Sequence, residues 1–266
     1  MNQITHALNT VKKESPFLYG TVILSFAMAL VCIVGMLIDS RTILGVSVWL
    51  KPLKFAISGG VFTLTVGYLN LFYPYSNLKK SIINNTIAFT MVVDLGIVLL
   101  QGARGVQSHF NQSTLFDAIL YMTMGVFITI NVLIMAIFII DTIRLKLKTS
   151  KSMQWAILLG WLIIFFGSWV GGQMVSQLSH TVGAVDGGAG LPLMNWSTIA
   201  GDLRIAHFFG LHGLQILPFF ALILAKRWKL TIWKQTLVIS FFGFLYAAWI
   251  GFTFYQAKQG IALLAI

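Results

Sequence analysis

The sequence predicts an all-α membrane protein, a bundle of seven transmembrane helices, and three observations carry that expectation. Of 266 residues, 58% are hydrophobic and only 9% are charged, against roughly 25% charged in ordinary globular chains, so too little polar surface exists to cover a water-facing fold. Seven apolar stretches reach or approach the ~20 residues a helix needs to cross ~30 Å of hydrocarbon. The charges between them are mostly basic and unevenly placed, as expected when topology is set by positive residues on the inner side.

The stretches lie at about 17–38, 55–73, 86–103, 118–140, 153–178, 205–225 and 235–256, within one polytopic domain over 1–266. Lys12 and Lys13 precede the first. Its apolar run exceeds the core of a secretory signal, and no small-residue cleavage pattern follows, so it reads as a span. The second is started by Pro52, a natural first-turn residue, bracketed by Lys51 and Lys54. The third carries Asp94 in mid-span and ends at Arg104, ten residues or ~15 Å of helix rise away. The fourth opens at Asp117. In the fifth, Gly167 with Gly171 and Ala156 with Gly160 have the small-residue spacing of close helix packing. Pro218 interrupts the backbone ladder of the sixth and predicts a kink below His212 and Gln215. The seventh follows Lys234.

Seven crossings leave the N-terminus and the even-numbered loops on one side, with twelve of the eighteen basic residues there, among them Lys79, Lys80, Arg144, Lys148 and Arg227. Only Glu14 and Asp141 offset them. This orients the N-terminus to the cytoplasm and the C-terminus outside. The net charge of +11 is then a topological signal, and no nucleic-acid partner is needed to explain it. The single cysteine, Cys32, excludes structural disulfides and cysteine-ligated clusters.

Outer segments carry the less ordinary residues. Helical spacing aligns Lys51, Lys54, Ser58 and Thr65; Asp94, Gln101 and Arg104; Asp117, Tyr121 and Asn131; Trp169, Gln173, Gln177 and His180; Arg204, His207, His212 and Gln215; and Tyr246, Trp249, Thr253 and Gln256. Unpaired polar groups are costly in hydrocarbon, so these stripes are expected to face one another around an outward-opening cavity. Arg104, Arg204, Lys51 and Lys54 would form an anion cradle, unless Asp202 simply neutralises Arg204. Gln101, Asn111, Gln177, Gln215 and Trp49 would contact the ligand. His207, His212 and His109 would move protons, with Asp202 orienting a base. Asp94 would relay a proton or stay neutral and hydrogen-bonded. His109, His180 and His207 are the candidates if a metal or haem binds, although the five-residue step from His207 to His212 suits no joint ligation. The glycine-rich 185–192 stretch is either a lid or a plain connector.

The run Asn195-Trp-Ser-Thr-Ile-Ala-Gly-Asp-Leu-Arg204 followed by His207-Phe-Phe-Gly-Leu-His212 and Gln215 resembles a motif of a family of uncharacterised multi-pass membrane proteins of bacteria. Trp49-Leu-Lys-Pro-Leu-Lys-Phe55, and Arg104 with Ser108-His-Phe-Asn111, are similar too. The resemblance implies a bacterial cytoplasmic membrane and supplies no reaction. Three functions are then expected in turn: a lipid-accessible site for an anionic or oxygen-rich small molecule or lipid headgroup, with or without catalysis; a proton-coupled solute transporter using Asp94; and a histidine-ligated haem or metal redox protein. The cofactor and the oligomeric state are left open.

Overall fold

The computed structural model describes residues 3–264, apart from the side chains of Gln3, Ile4, His6 and Ala7. It is all-α. The helices are α1 (Gln3–Glu14), α2 (Pro16–Ile38), α3 (Leu50–Leu69), α4 (Asn77–Arg104), α5 (Leu115–Arg144), α6 (Lys151–Gln177), α7 (Leu203–Arg227) and α8 (Ile232–Lys258). All but α1 are long and apolar enough to cross a membrane. A short 3-10 turn, Asn70–Phe72, extends α3.

Each predicted span lies largely within a longer helix. Hydropathy marks only the stretch that hydrocarbon demands, whereas the backbone ladder continues into polar ends such as Asn77–Asn85 of α4. Those ends are capped by side chains: Ser76, Ser150, Asp202 and Thr231 accept the backbone N–H of Lys79, Met153, Arg204 and Lys234. Helix α1 was outside the prediction because it is amphipathic and short; Pro16 at the first position of α2 breaks the two apart. Helix α7 stays helical through the buried Pro218.

Two small antiparallel pairs were also unforeseen. Strand β1 (Thr42–Ile43) pairs with β2 (Val46–Ser47) across a two-residue turn, in which Leu44 and Gly45 both have positive φ (51° and 80°), the conformation a tight hairpin requires. Strand β3 (Thr181–Val182) pairs with β4 (Gly201–Asp202), and Gly190 bridges to Ser197. The glycine-rich connector is therefore closed onto itself by backbone hydrogen bonds.

Contacts divide the chain into two compact units, 1–134 and 135–266. In the first, Val11, Leu18, Val22 and Ala88 form a core that ties α1 to α2 and α4. Beside the basic loops of that unit, the Asn70 amide donates to Asn84 (2.8 Å), whose own amide donates to Ser15. In the second unit α6 and α7 pack through glycine. A Cβ on Gly210 would lie 2.5 Å from Gly167 Cα, and one on Gly160 would lie 3.1 Å from Leu214 Cα. The small-residue spacing of α6 is thus a backbone-to-backbone seam. At the turn between α5 and α6, Gln154 donates to the carbonyls of Thr142 and Leu145 (both 2.8 Å) and accepts from Leu147 N–H, satisfying groups a helix end leaves orphaned.

The seam makes a direct prediction. Gly210→Ala should cost about 1–3 kcal/mol, the usual penalty of overpacking, whereas Gly172→Ala, where nothing lies within 4 Å of the added methyl, should leave the melting temperature in detergent unchanged. Equal melting of the two variants would contradict the seam.

Candidate functional site

In the first unit the polar chemistry gathers where α2 and α4 end and α3 and α5 begin. Asp39 follows α2 and Arg41 precedes β1. The Asp39 carboxylate accepts from Arg41 N (3.1 Å), Arg41 Nε (3.0 Å) and Arg41 Nη2 (2.7 Å), and from the Trp49 indole N–H (2.9 Å). Arg41 Nη2 also donates to the Ala103 carbonyl at the end of α4 (2.9 Å). One ion pair thereby fastens the β1–β2 hairpin to α4 and fixes the plane of Trp49.

Against that hairpin lies an open cleft of about 570 Å³, lined by Thr42, Ile43 and Leu44 on one side and by residues of the 105–113 segment on the other, including Gln107, Phe110, Asn111, Gln112 and Ser113. Asn111 Oδ1 accepts from Ser113 N (3.1 Å) and Ser113 Oγ (2.7 Å), so the group Asn111 can offer a ligand is its NH2.

Gln101, Arg104 and Asp117 meet near the same helix ends. Arg104 Nη1 donates to Asp117 Oδ1 (2.6 Å) and to Gln101, and the Gln101 amide donates to the same carboxylate oxygen (2.9 Å). The Thr114 hydroxyl supplies a further bond to Asp117 Oδ2 (2.6 Å). Asp117 and Gln101 are buried, and Arg104 keeps a third of its side chain exposed. His109 packs edge-on to Phe55 (centroids 5.4 Å apart) and near Tyr121 (6.4 Å), with Nδ1 3.0 Å from Ser108 Oγ. Lys51 places its ammonium over the Phe55 ring, 5.8 Å from the centroid. Lys54, one helical turn further, is half-buried on the same element.

Asp94 lies on the α4 stripe shared with Thr90 and Gln101. Thr90 is bonded to Asn131 of α5 (2.9 Å) and Gln101 to Asp117 of α5. Between these two links, Asp94 Oδ1 is buried without a hydrogen-bond partner, as is the Tyr121 hydroxyl.

In the second unit Asp202 and Arg204 repeat the Asp39–Arg41 arrangement. Asp202 accepts from Arg204 N (2.9 Å), Nε (2.9 Å) and Nη2 (2.6 Å), and from Ser197 N (2.8 Å), while Arg204 Nη2 reaches the Asn195 carbonyl. Asp202 thus caps α7 and closes the connector; it is committed to Arg204 and not to a histidine. His207 donates from Nδ1 to the Gly167 carbonyl of α6 (2.8 Å), and its ring fills the space left by Gly171, where a Cβ would lie 2.9 Å from Cε1. The carbonyl accepts only, so Nδ1 carries the proton and Nε2 is the acceptor of the neutral ring. His212 packs edge-on to Phe208 (4.5 Å), and the Gln215 side chain is within reach of the Leu211 and His212 carbonyls. Helix α6 ends at Gln177, so His180 departs from the expected stripe. Gln177 spends its amide on the carbonyls of Ser179 and Thr181. His180 Nδ1 is 2.6 Å from Asp186 Oδ2, and Asp186 also takes the N–H groups of His180 and Thr181. Trp169, aligned with Gln173 in the sequence reading, is 48% exposed.

Of the expected cradle of Arg104, Arg204, Lys51 and Lys54, Arg104 of the first unit pairs with Asp117, and Arg204 of the second pairs with Asp202. A cation near hydrocarbon is stable only with its counter-ion close by. Among the described residues, no three of the His, Cys, Asp and Glu side chains gather into a metal-ligand set. Asp39, Arg41, Gln107 and Gln112 were missed as site residues. The Asp-x-Arg spacing, present at Asp39-Ser-Arg41 and again at Asp202-Leu-Arg204, was the signal that could have found the first two.

No family model, curated protein or solved structure matches the chain.

The two loop carboxylates set an acid limit to stability. Hydrogen bonds from the Arg41 side chain and backbone and from Trp49 hold Asp39 well below the usual carboxylate range. Burial pushes Asp186 up, but the hydrogen bonds and charge of His180, with the Thr181 hydroxyl, outweigh it and hold Asp186 low as well. Both pKa values are lower folded than unfolded. Their contribution is complete above the ordinary value of about 3.9 and is lost as pH falls from there through the folded values. The share of the melting temperature that these two carboxylates supply should be unchanged from pH 7 to about 5 and be lost below about 4. Asp186→Asn should lower the melting temperature at pH 7 and blunt the acid limb; an unchanged limb would contradict this account.

Proposed function

We propose that the chain is a multi-pass protein of a bacterial cytoplasmic membrane, with its N-terminus in the cytoplasm, that binds an anionic or oxygen-rich small molecule or lipid headgroup on the non-cytoplasmic side. The observation that carries the reading is the open cleft between the β1–β2 hairpin and the 105–113 segment, because its side chains supply donors where a ligand with many oxygen acceptors would rest. Thr42 brings a hydroxyl, and Gln107, Asn111 and Gln112 bring amides. Neutral donors of this kind hold oxygen acceptors without the cost of desolvating a further charge. The orientation is supported by the basic loops at the opposite helix ends, around Lys79, Lys80, Lys146, Lys148 and Lys151. The Gln101–Arg104–Asp117 cluster fastens the end of α4 to the start of α5, since every member is hydrogen-bonded.

The test is a titration of the detergent-solubilised full chain with sn-glycerol 3-phosphate, followed by calorimetry. Saturable binding is expected, weakened at least several-fold in a Gln107→Leu/Gln112→Leu double variant whose melting temperature matches wild type. Absence of saturation, or equal affinity in the double variant, would overturn the reading.

A further inference from the structure

The 42–49 segment, which holds the β1–β2 hairpin, borders two recesses of opposite character. One is the polar cleft. The other is an apolar groove of about 370 Å³, lined by Leu30, Val31, Val34, Gly35 and Ile38 of α2 and the ring of Trp49. The groove belongs to the outward face of a membrane-spanning helix: Leu30, Val34 and Ile38 are largely exposed. Its back wall is set by the sequence. A Cβ on Gly35 would lie 2.5 Å from the Trp49 ring, so glycine lets the indole lie against α2, and the bond to Asp39 holds the ring there.

Arg41 is linked to both recesses, through the Asp39 carboxylate to the Trp49 ring of the groove and past Gly105 to the polar cleft. Nε and Nη2 are spent on Asp39 and Ala103, but Nη1 makes no hydrogen bond among the described residues, and the side chain is 52% exposed. Nη1 passes 3.2 Å from where a Cβ of Gly105 would sit, and Gly105 itself lines the polar cleft. The absent side chain leaves that edge of the guanidinium uncovered. Asp39 offsets much of the Arg41 charge, so Nη1 offers an incoming phosphate oxygen a hydrogen-bond donor more than a free charge.

We infer that a glycerophospholipid binds across the hairpin, with its phosphodiester on Arg41 Nη1, its glycerol oxygens toward the polar cleft and one acyl chain in the groove between α2 and Trp49. This deepens the reading above and rests on it for the cleft, while naming a lipid as the substrate class. The chemistry favours that occupant on both sides. A guanidinium edge pairs strongly with a phosphate oxygen, and an apolar groove that runs along the last two turns of a membrane-spanning helix meets acyl chains before anything else. Free phosphate would leave the groove unused, and a second copy of the chain would leave Nη1 unused.

The experiment is native mass spectrometry of the delipidated full chain in detergent, titrated separately with dioleoylphosphatidylglycerol, dioleoylglycerol and sn-glycerol 3-phosphate. One equivalent of the phospholipid should bind at least about tenfold more tightly than the diacylglycerol, the scale of one charge-assisted hydrogen bond. Arg41→Gln should remove most of that difference. Val34→Trp, an exposed position that tolerates bulk, should weaken both diacyl ligands and spare glycerol 3-phosphate. Phospholipid binding that is unchanged in either variant would overturn the inference. So would a Val34→Trp chain that loses a dimer while keeping its lipid, which would assign the groove to a second copy. If Arg41→Gln fails to fold, Val34→Trp alone decides. Glycerol 3-phosphate binding that survives an Arg41-independent result would leave the cleft reading standing. Arg41-dependent lipid binding without glycerol 3-phosphate binding would do the reverse.

Discussion

A guanidinium at the edge of hydrocarbon is tolerable only when its counter-ion comes with it, and the placement of polar chemistry in this protein follows from that requirement. Arg41, Arg104 and Arg204 each hold an aspartate within 3 Å, and His180 holds Asp186 at 2.6 Å. Every pair sits at or next to a helix end, where the last backbone groups also need partners and water or headgroups lie close. The pairs therefore do two jobs. They neutralise charge, and through Ala103, Asn195 and Ser197 they tie short connectors to the helices. The wall of the cleft is tied to the end of α4 by the Asp39–Arg41 pair and its bond to the Ala103 carbonyl.

The two units solve the packing problem differently. In the second, glycines bring α6 and α7 into backbone contact, and the same absence of side chains makes room for His207 between them. The histidine's tautomer is set by a main-chain carbonyl, an arrangement that suits a fixed acceptor more than a mobile proton carrier. In the first unit the links along α4 are polar: Asn84 to Asn70 and Ser15, Thr90 to Asn131, and Gln101 to Asp117. Asp94, between the second and third links, is the one acidic side chain of that stripe with an orphaned oxygen, and it is where a proton would be held if the protein couples binding to proton movement.

Hydropathy was sufficient for the class and the number of spans, because the cost of exposing backbone to lipid leaves few alternatives to a helix about twenty residues long. It was insufficient for helix ends, since the Asn- and Lys-rich start of α4, Asn77–Asn85, remains helical without reading as a span. Spacing placed Gln101 and Arg104 on one face and identified Gly160 and Gly167 as small residues of the α6 packing face. What spacing could not give was pairing between elements. Asp117 meets Arg104 across thirteen residues of chain, and Trp49 meets Asp39 across ten. Position along a helix predicts where a side chain starts and not which neighbour neutralises it. For that reason the aspartates that pair with Arg104 and Arg41 could not be read from helical spacing. The hairpin escaped notice because Leu44 occupies a positive-φ position that Asn or Gly more often signals.

The account depends on these ion-paired helix ends facing away from the cytoplasm. In a Cys32→Ser background, which removes the only, buried, thiol, single cysteines introduced as Gln112→Cys and Lys148→Cys can be probed with a membrane-impermeant maleimide on intact bacteria. Labelling of Gln112→Cys in intact cells, with Lys148→Cys reacting only after permeabilisation, is the expected result. The opposite pattern would put the cleft in the cytoplasm and contradict the account.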